Sequence, residues 1–342
     1  MLFPDSPAGP GLIGIARLAA EGERLESKRR VEYFELPTRR FIGRCSSKRD
    51  MPFEWTINPY RGCEFGCKYC YARYTHEFME LRDPVQFETQ IYAKQWSEPA
   101  FRGELAKIPR AQSVAIGTAT DPYQPAERRF GVTRKILRVF AGEKGRSISL
   151  TTKSDAVARD RDLFVEIARH NGLSVNMTVT TIDEDLARLL EPFAPRPSLR
   201  LAAVRALAEA GICCHVFCAP IMPLLTDSER SIDRVAQAAS EAGACWLMGN
   251  PLFLKPCSRQ VFLPFMEERF PQLARRYRER YENAAFLQGE YPEIIRERIR
   301  AARERYGLTK SRADDPPETW VEPQLGLFDG GDGGAPGGSG SR

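Results

Sequence analysis

The sequence has no run approaching the roughly 18 to 20 consecutive apolar residues that a bilayer-crossing helix needs, so no membrane-spanning helix is expected in it. Its opening stretch, MLFPDSPAGPGLIGIARLAAEGERLESKRR, lacks the charge-then-apolar order of a signal peptide. A cytoplasmic setting without membrane contact is the expectation. Nine cysteines, an odd number, in a chain without an export signal argue against a disulfide framework and for reduced thiols. Neither sign of charge dominates: 50 Lys and Arg against 45 Asp and Glu leave +5, compatible with a nucleic-acid partner but not a demonstration of one. The 342 residues, 42% hydrophobic and 28% charged, suffice for one large α/β barrel with extensions.

The most informative absence is a fourth cysteine. In Tyr60-Arg61-Gly62-Cys63-Glu64-Phe65-Gly66-Cys67-Lys68-Tyr69-Cys70-Tyr71, three thiols stand three and then two residues apart. Four would saturate a cubic iron–sulfur cluster and favour electron transfer, whereas three leave one iron free to bind something exogenous. Converging three sulfurs within so few residues forces the backbone to wrap. Gly62 and Gly66 supply the positive-φ or close-approach conformations for that, and Tyr69 and Tyr71 offer apolar walls against water. Two other readings stay open on the residues alone. Zinc could take Cys63, Cys67 and Cys70 with His76 as fourth ligand, and Cys67-x-x-Cys70 could be a redox pair, although that leaves Cys63 without a role.

Along the chain, residues 1–50 mix helical periodicity with the basic Lys28-Arg29-Arg30 and an extended piece through Val31 to Phe34; they read as an N-terminal extension. From Trp55, short β-branched runs alternate with amphipathic helical stretches. The strands expected are Thr56–Asn58, Ser113–Ala119, Ser147–Thr152, Leu173–Thr180, Ile212–Ala219 and Ala244–Leu252. Gly211 is a helix stop before the fifth. The fold class is α/β, an incomplete (β/α)6 barrel of TIM type spanning residues 51–263. Residues 264–308 read as helices packed on the barrel, in which arginines interleaved with Tyr277 and Tyr281 form either a nucleic-acid face or a solvated helix of Glu–Arg pairs. Residues 309–342, rich in Pro, Asp and Gly, cannot bury enough apolar surface to order themselves.

The spacing Cys-x3-Cys-x-aromatic-Cys resembles the signature of the radical S-adenosylmethionine (SAM) superfamily. The longer string NPYRGCEFGCKYCYARYTHEF looks like its spore photoproduct lyase-like branch, over about residues 50 to 290. The resemblance implies that Cys63, Cys67 and Cys70 hold a [4Fe–4S] cluster whose fourth iron is chelated by SAM. Reduction, by an electron donor such as flavodoxin or ferredoxin, then splits SAM to methionine and a 5′-deoxyadenosyl radical that takes hydrogen from substrate.

In parallel α/β barrels ligands collect at the carboxyl ends of the strands. By the resemblance, Thr118, Thr120 and Asp121 after the second strand accept hydrogen bonds from the methionine amine, and Lys153 after the third pairs with the SAM carboxylate. Asn176 and Thr178 on the fourth strand are candidate ribose partners by position, with Tyr69 and Tyr71 flanking the cofactor. Spore photoproduct lyase uses a hydrogen-donating cysteine in the turn after its second strand; the matching Gly117 to Asp121 has none. Repair of the spore thymine dimer is therefore not expected, and Tyr123 or Cys218 are other possible donors. No catalytic residue beyond the cofactor site is assigned.

The function expected is reductive SAM cleavage with a lean towards DNA lesion processing. Radical modification of a protein, peptide or small metabolite competes with it, as does a non-catalytic zinc-stabilised nucleic-acid-binding protein. Cys45, Cys213, Cys214, Cys218, Cys245 and Cys257 read as small buried hydrophobes, and strand alternation sends Cys213 and Cys214 to opposite faces, against a second cluster. His76, one of three histidines, reads as an anchor for the cysteine loop. Gln324-Leu325-Gly326-Leu327-Phe328 in the tail resembles the bacterial sliding-clamp-binding motif and makes the clamp a candidate partner.

Overall fold

Strand formation follows the β-branched runs in a computed structural model that describes residues 12–27, 31–38, 40–45 and 51–310. Lys28 to Arg30 and the Gln324–Phe328 motif lie outside the described residues. In chain order the strands are β1 (Glu23–Ser27), β2 (Glu32–Leu36), β3 (Ile42–Arg44), β4 (Trp55–Ile57), β5 (Tyr60–Arg61), β6 (Gln90–Lys94), β7 (Ser113–Ile116), β8 (Ser147–Thr152), β9 (Gly172–Thr178), β10 (Cys214–Phe217) and β11 (Trp246–Met248).

Seven of them form one sheet in the order β11-β10-β9-β8-β7-β4-β3. All pairings from β4 through β11 are parallel, and β3 adds an antiparallel edge. These six parallel strands are the six expected, open between β11 and β3 rather than closed into a full barrel. Several are shorter than their apolar runs suggest. β7 ends at Ile116 because Gly117 takes φ +86°, where a Cβ would lie 2.6 Å from the Thr151 carbonyl oxygen. Gly211, φ +77°, separates helix Pro197–Ala208 from β10, as a helix stop should.

Strand alternation sorts the sheet into two faces. Val114, Ile116, Ile148, Leu150, Val175, Met177, Val216 and Leu247 share one core with helix residues such as Ile136, Phe140, Phe164, Ile167, Leu207 and Ile232. Each of these side chains, fully buried, contributes about 1.5–3 kcal/mol of apolar burial, which holds the helical layer on the sheet. The alternate positions Ser149, Thr151, Ser174, Asn176, Thr178 and His215 face the barrel interior.

A second sheet, ordered β1-β2-β6-β5, was not legible in the sequence beyond the extended piece at Val31 to Phe34. Its last strand, β5, runs directly into the cysteine loop. The C-terminal helices begin at Pro256, with Pro264 inside helix Pro256–Arg269, so the helical pattern starts before residue 264. Tyr277 and Tyr281 of helix Pro271–Tyr281 are fully buried, their hydroxyls donating to the carbonyls of Pro223 and Leu252. They are core side chains and not part of a nucleic-acid face. On helix Tyr291–Tyr306 two exposed arginines pair within the helix, Arg296 with Glu293 and Arg300 with Glu297, as in a solvated helix, while Arg305 reaches Asp233 of the helix beside it.

Candidate functional site

The cysteine loop leaves β5 at the carboxyl end of the barrel and is braced from several elements. Gly62 adopts φ +83°, and a Cβ there would lie 2.8 Å from the Gln90 carbonyl and 2.9 Å from that of Phe87, so only glycine passes. Gly66 adopts φ +62°, and a Cβ would collide with the Glu88 carboxylate. Thr120 Oγ1 and Gln124 Nε2 donate to the Gly62 carbonyl at 2.6 and 3.0 Å. Glu64 accepts from the Ala126 amide (2.8 Å) and from Tyr33 Oη of β2 (2.8 Å). Arg73, buried, reaches the carbonyls of Cys67 (3.0 Å) and Pro84 (2.5 Å), and Ser258 Oγ donates to the Cys70 carbonyl at 2.9 Å.

None of the nine cysteines is in a disulfide. Burial pushes the Cys67 thiol up to about 12 and raises Cys63 and Cys70 too, so a bound metal is the natural source of the countercharge that thiolates need here. Among the described residues no set of three ligands that includes a loop cysteine has its atoms within 4.8 Å of one another. A single ion would require that closeness, whereas a cluster several ångströms across does not. His76 is turned away as well. Its Nε2 donates to the Gln90 carbonyl at 3.0 Å, and the buried ring lies against Phe87 and Tyr92. It anchors the loop as expected and is not placed as a fourth zinc ligand.

Behind the loop sits a buried charged network. Arg200 Nη2 meets Glu191 Oε2 at 2.5 Å, with both side chains 1% exposed. Tyr69 donates its hydroxyl to Glu191, which also accepts from Thr180 Oγ1 at 2.9 Å. Burial works against the Glu191 carboxylate, but Arg200 and Lys153 outweigh it and hold it below the usual carboxylate range. Lys153 is half-buried, its ammonium 5.6 Å from the Tyr69 ring centroid. Burial disfavours that charge, yet Cys67 and Glu191 more than compensate and raise its pKa. Tyr71 is 37% exposed, donates to the Thr118 carbonyl and packs 5.2 Å from Phe253.

The residues expected to contact SAM divide in two. Thr120 and Asp121 are buried and committed to internal bonds: Asp121 accepts from Thr152 Oγ1 (2.7 Å), the Tyr123 amide (2.9 Å) and the Lys153 amide (2.7 Å), joining the ends of β7 and β8. Thr118 Oγ1 lies 3.2 Å from Asn58 Nδ2 and is only half-buried. Asn176 donates to Thr151 Oγ1 at 3.2 Å, but its Oδ1 is buried without a partner. An orphaned acceptor on the interior face, on the strand next to the one that carries Lys153, suits a polar ligand entering the barrel. Thr178 shares that face, its carbonyl accepting from Arg200 Nη1 at 3.1 Å.

Both alternative hydrogen donors are misplaced for a radical in the barrel. Tyr123 is buried with its hydroxyl on Asp160 (2.8 Å), and Cys218 belongs to the hydrophobic core. Sequence reasoning missed Arg73, Glu191 and Arg200. Arg200 had a readable signal, an arginine on the buried stripe Arg200, Ala203, Val204, Leu207.

A partial barrel with a three-thiol loop at the carboxyl ends of its strands defines an enzyme scaffold that can hold a cluster with an open iron. The family model for the radical SAM superfamily matches residues 57–239, and the chain belongs to that superfamily. Its cofactors are a [4Fe–4S] cluster and SAM. An uncharacterized protein of Mycobacterium tuberculosis (strain ATCC 25618 / H37Rv) is 34% identical, over 92% of each chain. An uncharacterized protein of Methanocaldococcus jannaschii is 32% identical over 52% of this chain and 63% of its own. A spore photoproduct lyase mutant shares the fold with a TM-score of 0.62 at 17% identity, covering 88% of this chain and 85% of that one. Another, with bound AdoMet and dinucleoside spore photoproduct, gives 0.60 at 16% identity with the same coverage. At these identities the likeness concerns the fold. Among the described residues no helix is long and apolar enough to cross a membrane.

Proposed function

We propose that Cys63, Cys67 and Cys70 ligate the cluster and that the chain cleaves SAM reductively to start hydrogen abstraction from a substrate. The observation that carries this reading is the wrapped, glycine-dependent loop of three thiols, Cys67 buried and Cys63 and Cys70 half-buried, one short of saturation, together with Lys153 and the unpartnered Asn176 Oδ1. When bound, the cluster and SAM supply a 5′-deoxyadenosyl radical and methionine. The chain's own residues do the rest. Lys153 pairs with a carboxylate through a charge-assisted contact, Asn176 and Thr178 orient a hydroxyl-bearing ligand, and Tyr69 and Tyr71 shield the loop from water. Thr118 is left as the strand-end contact after β7, while Thr120 and Asp121 hold the loop and the β8 turn in place.

The substrate we infer is a lesion in DNA. Supporting it are the fold shared with spore photoproduct lyase, the mild positive charge and the clamp-like Gln324–Phe328, the last two read from the sequence alone. The spore thymine dimer itself is disfavoured, because Gly117 to Asp121 carries no thiol. An electron donor such as flavodoxin or ferredoxin would supply the reducing equivalent. Anaerobic reconstitution tests the reading: about four irons per chain and 5′-deoxyadenosine under dithionite are expected, both lost when Cys63, Cys67 and Cys70 are changed to alanine. Iron uptake that persists in that variant would overturn the assignment.

A further inference from the structure

A second set of soft ligands lies away from the cysteine loop. Cys213 immediately precedes β10, His215 is on it, and Cys245 immediately precedes β11. Their ligand atoms all lie within 4.8 Å of one another, and Cys213 Sγ is 3.4 Å from His215 Nε2. Cys213 and His215, two residues apart, share the interior face and are 6% and 7% exposed; Cys245 is half-buried. The backbone holds the third ligand in place. The Cys245 amide donates to the Cys214 carbonyl at 2.9 Å, and its own carbonyl accepts from the Lys310 amide at 3.0 Å. This is the starting end of the two strands, opposite the end that carries the cysteine loop.

We propose that Cys213, His215 and Cys245 form a mononuclear site for a thiophilic divalent ion, zinc fitting best, with water in the fourth position. Metal–sulfur bonds of about 2.3 Å and a metal–nitrogen bond of about 2.0 Å at tetrahedral angles set sulfur and nitrogen roughly 3.6 Å apart. The Cys213–His215 separation of 3.4 Å is already near that value, so ligation needs little movement. Charge favours it too. On binding, both thiols release their protons to solvent, and two thiolates with a neutral imidazole neutralise a 2+ ion, leaving no net charge in a largely buried place. Sulfur and imidazole donors select zinc over the oxygen-preferring magnesium or calcium. A cubic cluster is disfavoured because Cys214 is turned into the hydrophobic core, away from the other two. The ion would fasten β11, the edge of the open barrel, to β10.

The test is metal analysis of the full chain with its iron centre reconstituted anaerobically, after exposure to micromolar zinc and exhaustive dialysis. One zinc per chain in addition to iron is expected, falling at least tenfold in Cys213→Ala and in His215→Ala with iron content unchanged. The Cys63→Ala/Cys67→Ala/Cys70→Ala variant should keep the zinc, which separates this site from the loop. Cobalt replacing zinc in the unmutated chain should show thiolate-to-metal charge-transfer absorption, a readout that requires no variant to fold. No zinc retained and no such absorption, zinc retained by Cys213→Ala, or a Cys213–Cys245 disulfide in zinc-treated protein would each overturn the proposal.

Discussion

Glu191→Gln removes the carboxylate that faces the buried Arg200 and the half-buried Lys153. At 2.5 Å and an effective dielectric near 20, the Glu191–Arg200 attraction is about 6–7 kcal/mol before desolvation is charged against it. What the variant exposes is the uncompensated part: Arg200, 1% exposed, keeps only neutral acceptors such as the carbonyls of Pro195 and Thr178, and Lys153 loses a countercharge. Breaking such a pair costs about 3–5 kcal/mol. In a chain of this size that lowers Tm by roughly 4–7 °C. The assay is thermal unfolding of the full chain at pH 7, alongside Glu191→Gln/Arg200→Met. The double variant should recover at least half of the loss, because no unpaired guanidinium remains. The sign of the pH dependence follows from the depressed Glu191 pKa. Its contribution is complete above the unfolded carboxylate value near 4.3 and is lost as pH falls through the lower folded value, so the gap between wild type and Glu191→Gln should narrow on acidification. A Tm within about 2 °C of wild type, or a double variant no better than the single, would refute this account.

His76, held neutral by burial with its pKa down to about 4, should cost stability as pH drops from about 6.5 to 4, since the unfolded chain binds the proton first. The loss between pH 7 and pH 5, about 2 kcal/mol, should be absent in His76→Gln, and unfolding by denaturant at those two pH values checks it. Gly62→Ala forces a Cβ into two backbone carbonyls and should leave iron incorporation well below half of wild type; full iron content would contradict the close-packed loop. Lys153→Met should weaken SAM binding about tenfold or more with iron content unchanged, measured by equilibrium binding to the reconstituted protein. Deleting residues 322–342 should abolish sliding-clamp pull-down while SAM cleavage continues at its full rate.

The barrel was readable because its strands are local: each is a β-branched run between helical stretches, and period alone marks it. Asn176 was placed by strand position, Tyr69 by its place in the cysteine loop and Lys153 by the family resemblance; the structure puts the Lys153 ammonium 5.6 Å from the Tyr69 ring and Asn176 on the neighbouring strand. The second sheet escaped notice because β6, Gln-Ile-Tyr-Ala-Lys, carries no alternation strong enough to stand out, and it pairs with β2 across a long stretch of chain. Thr120 and Asp121 looked like ligand contacts because a strand-end hydroxyl and carboxylate read alike whether they face a cofactor or a neighbouring turn. Only the positions of Gly62 and Thr152 decide that. Tyr277 and Tyr281 misled in the opposite direction, since a helix dense in arginine conceals that one stripe of it is buried. The Cys213, His215 and Cys245 constellation depends on two adjacent strand beginnings, a proximity that strand alternation within one strand cannot reveal.

The hydrogen bond from Ser258 to the Cys70 carbonyl spans 188 residues, and Tyr33 reaches the same loop from the other direction. The loop is thus braced by parts of the polypeptide that lie far from it in sequence on both sides. If the loop holds the cluster as proposed, a truncated chain ending before Ser258 should take up less iron than the full chain, because the loop loses one of the bonds that hold its shape.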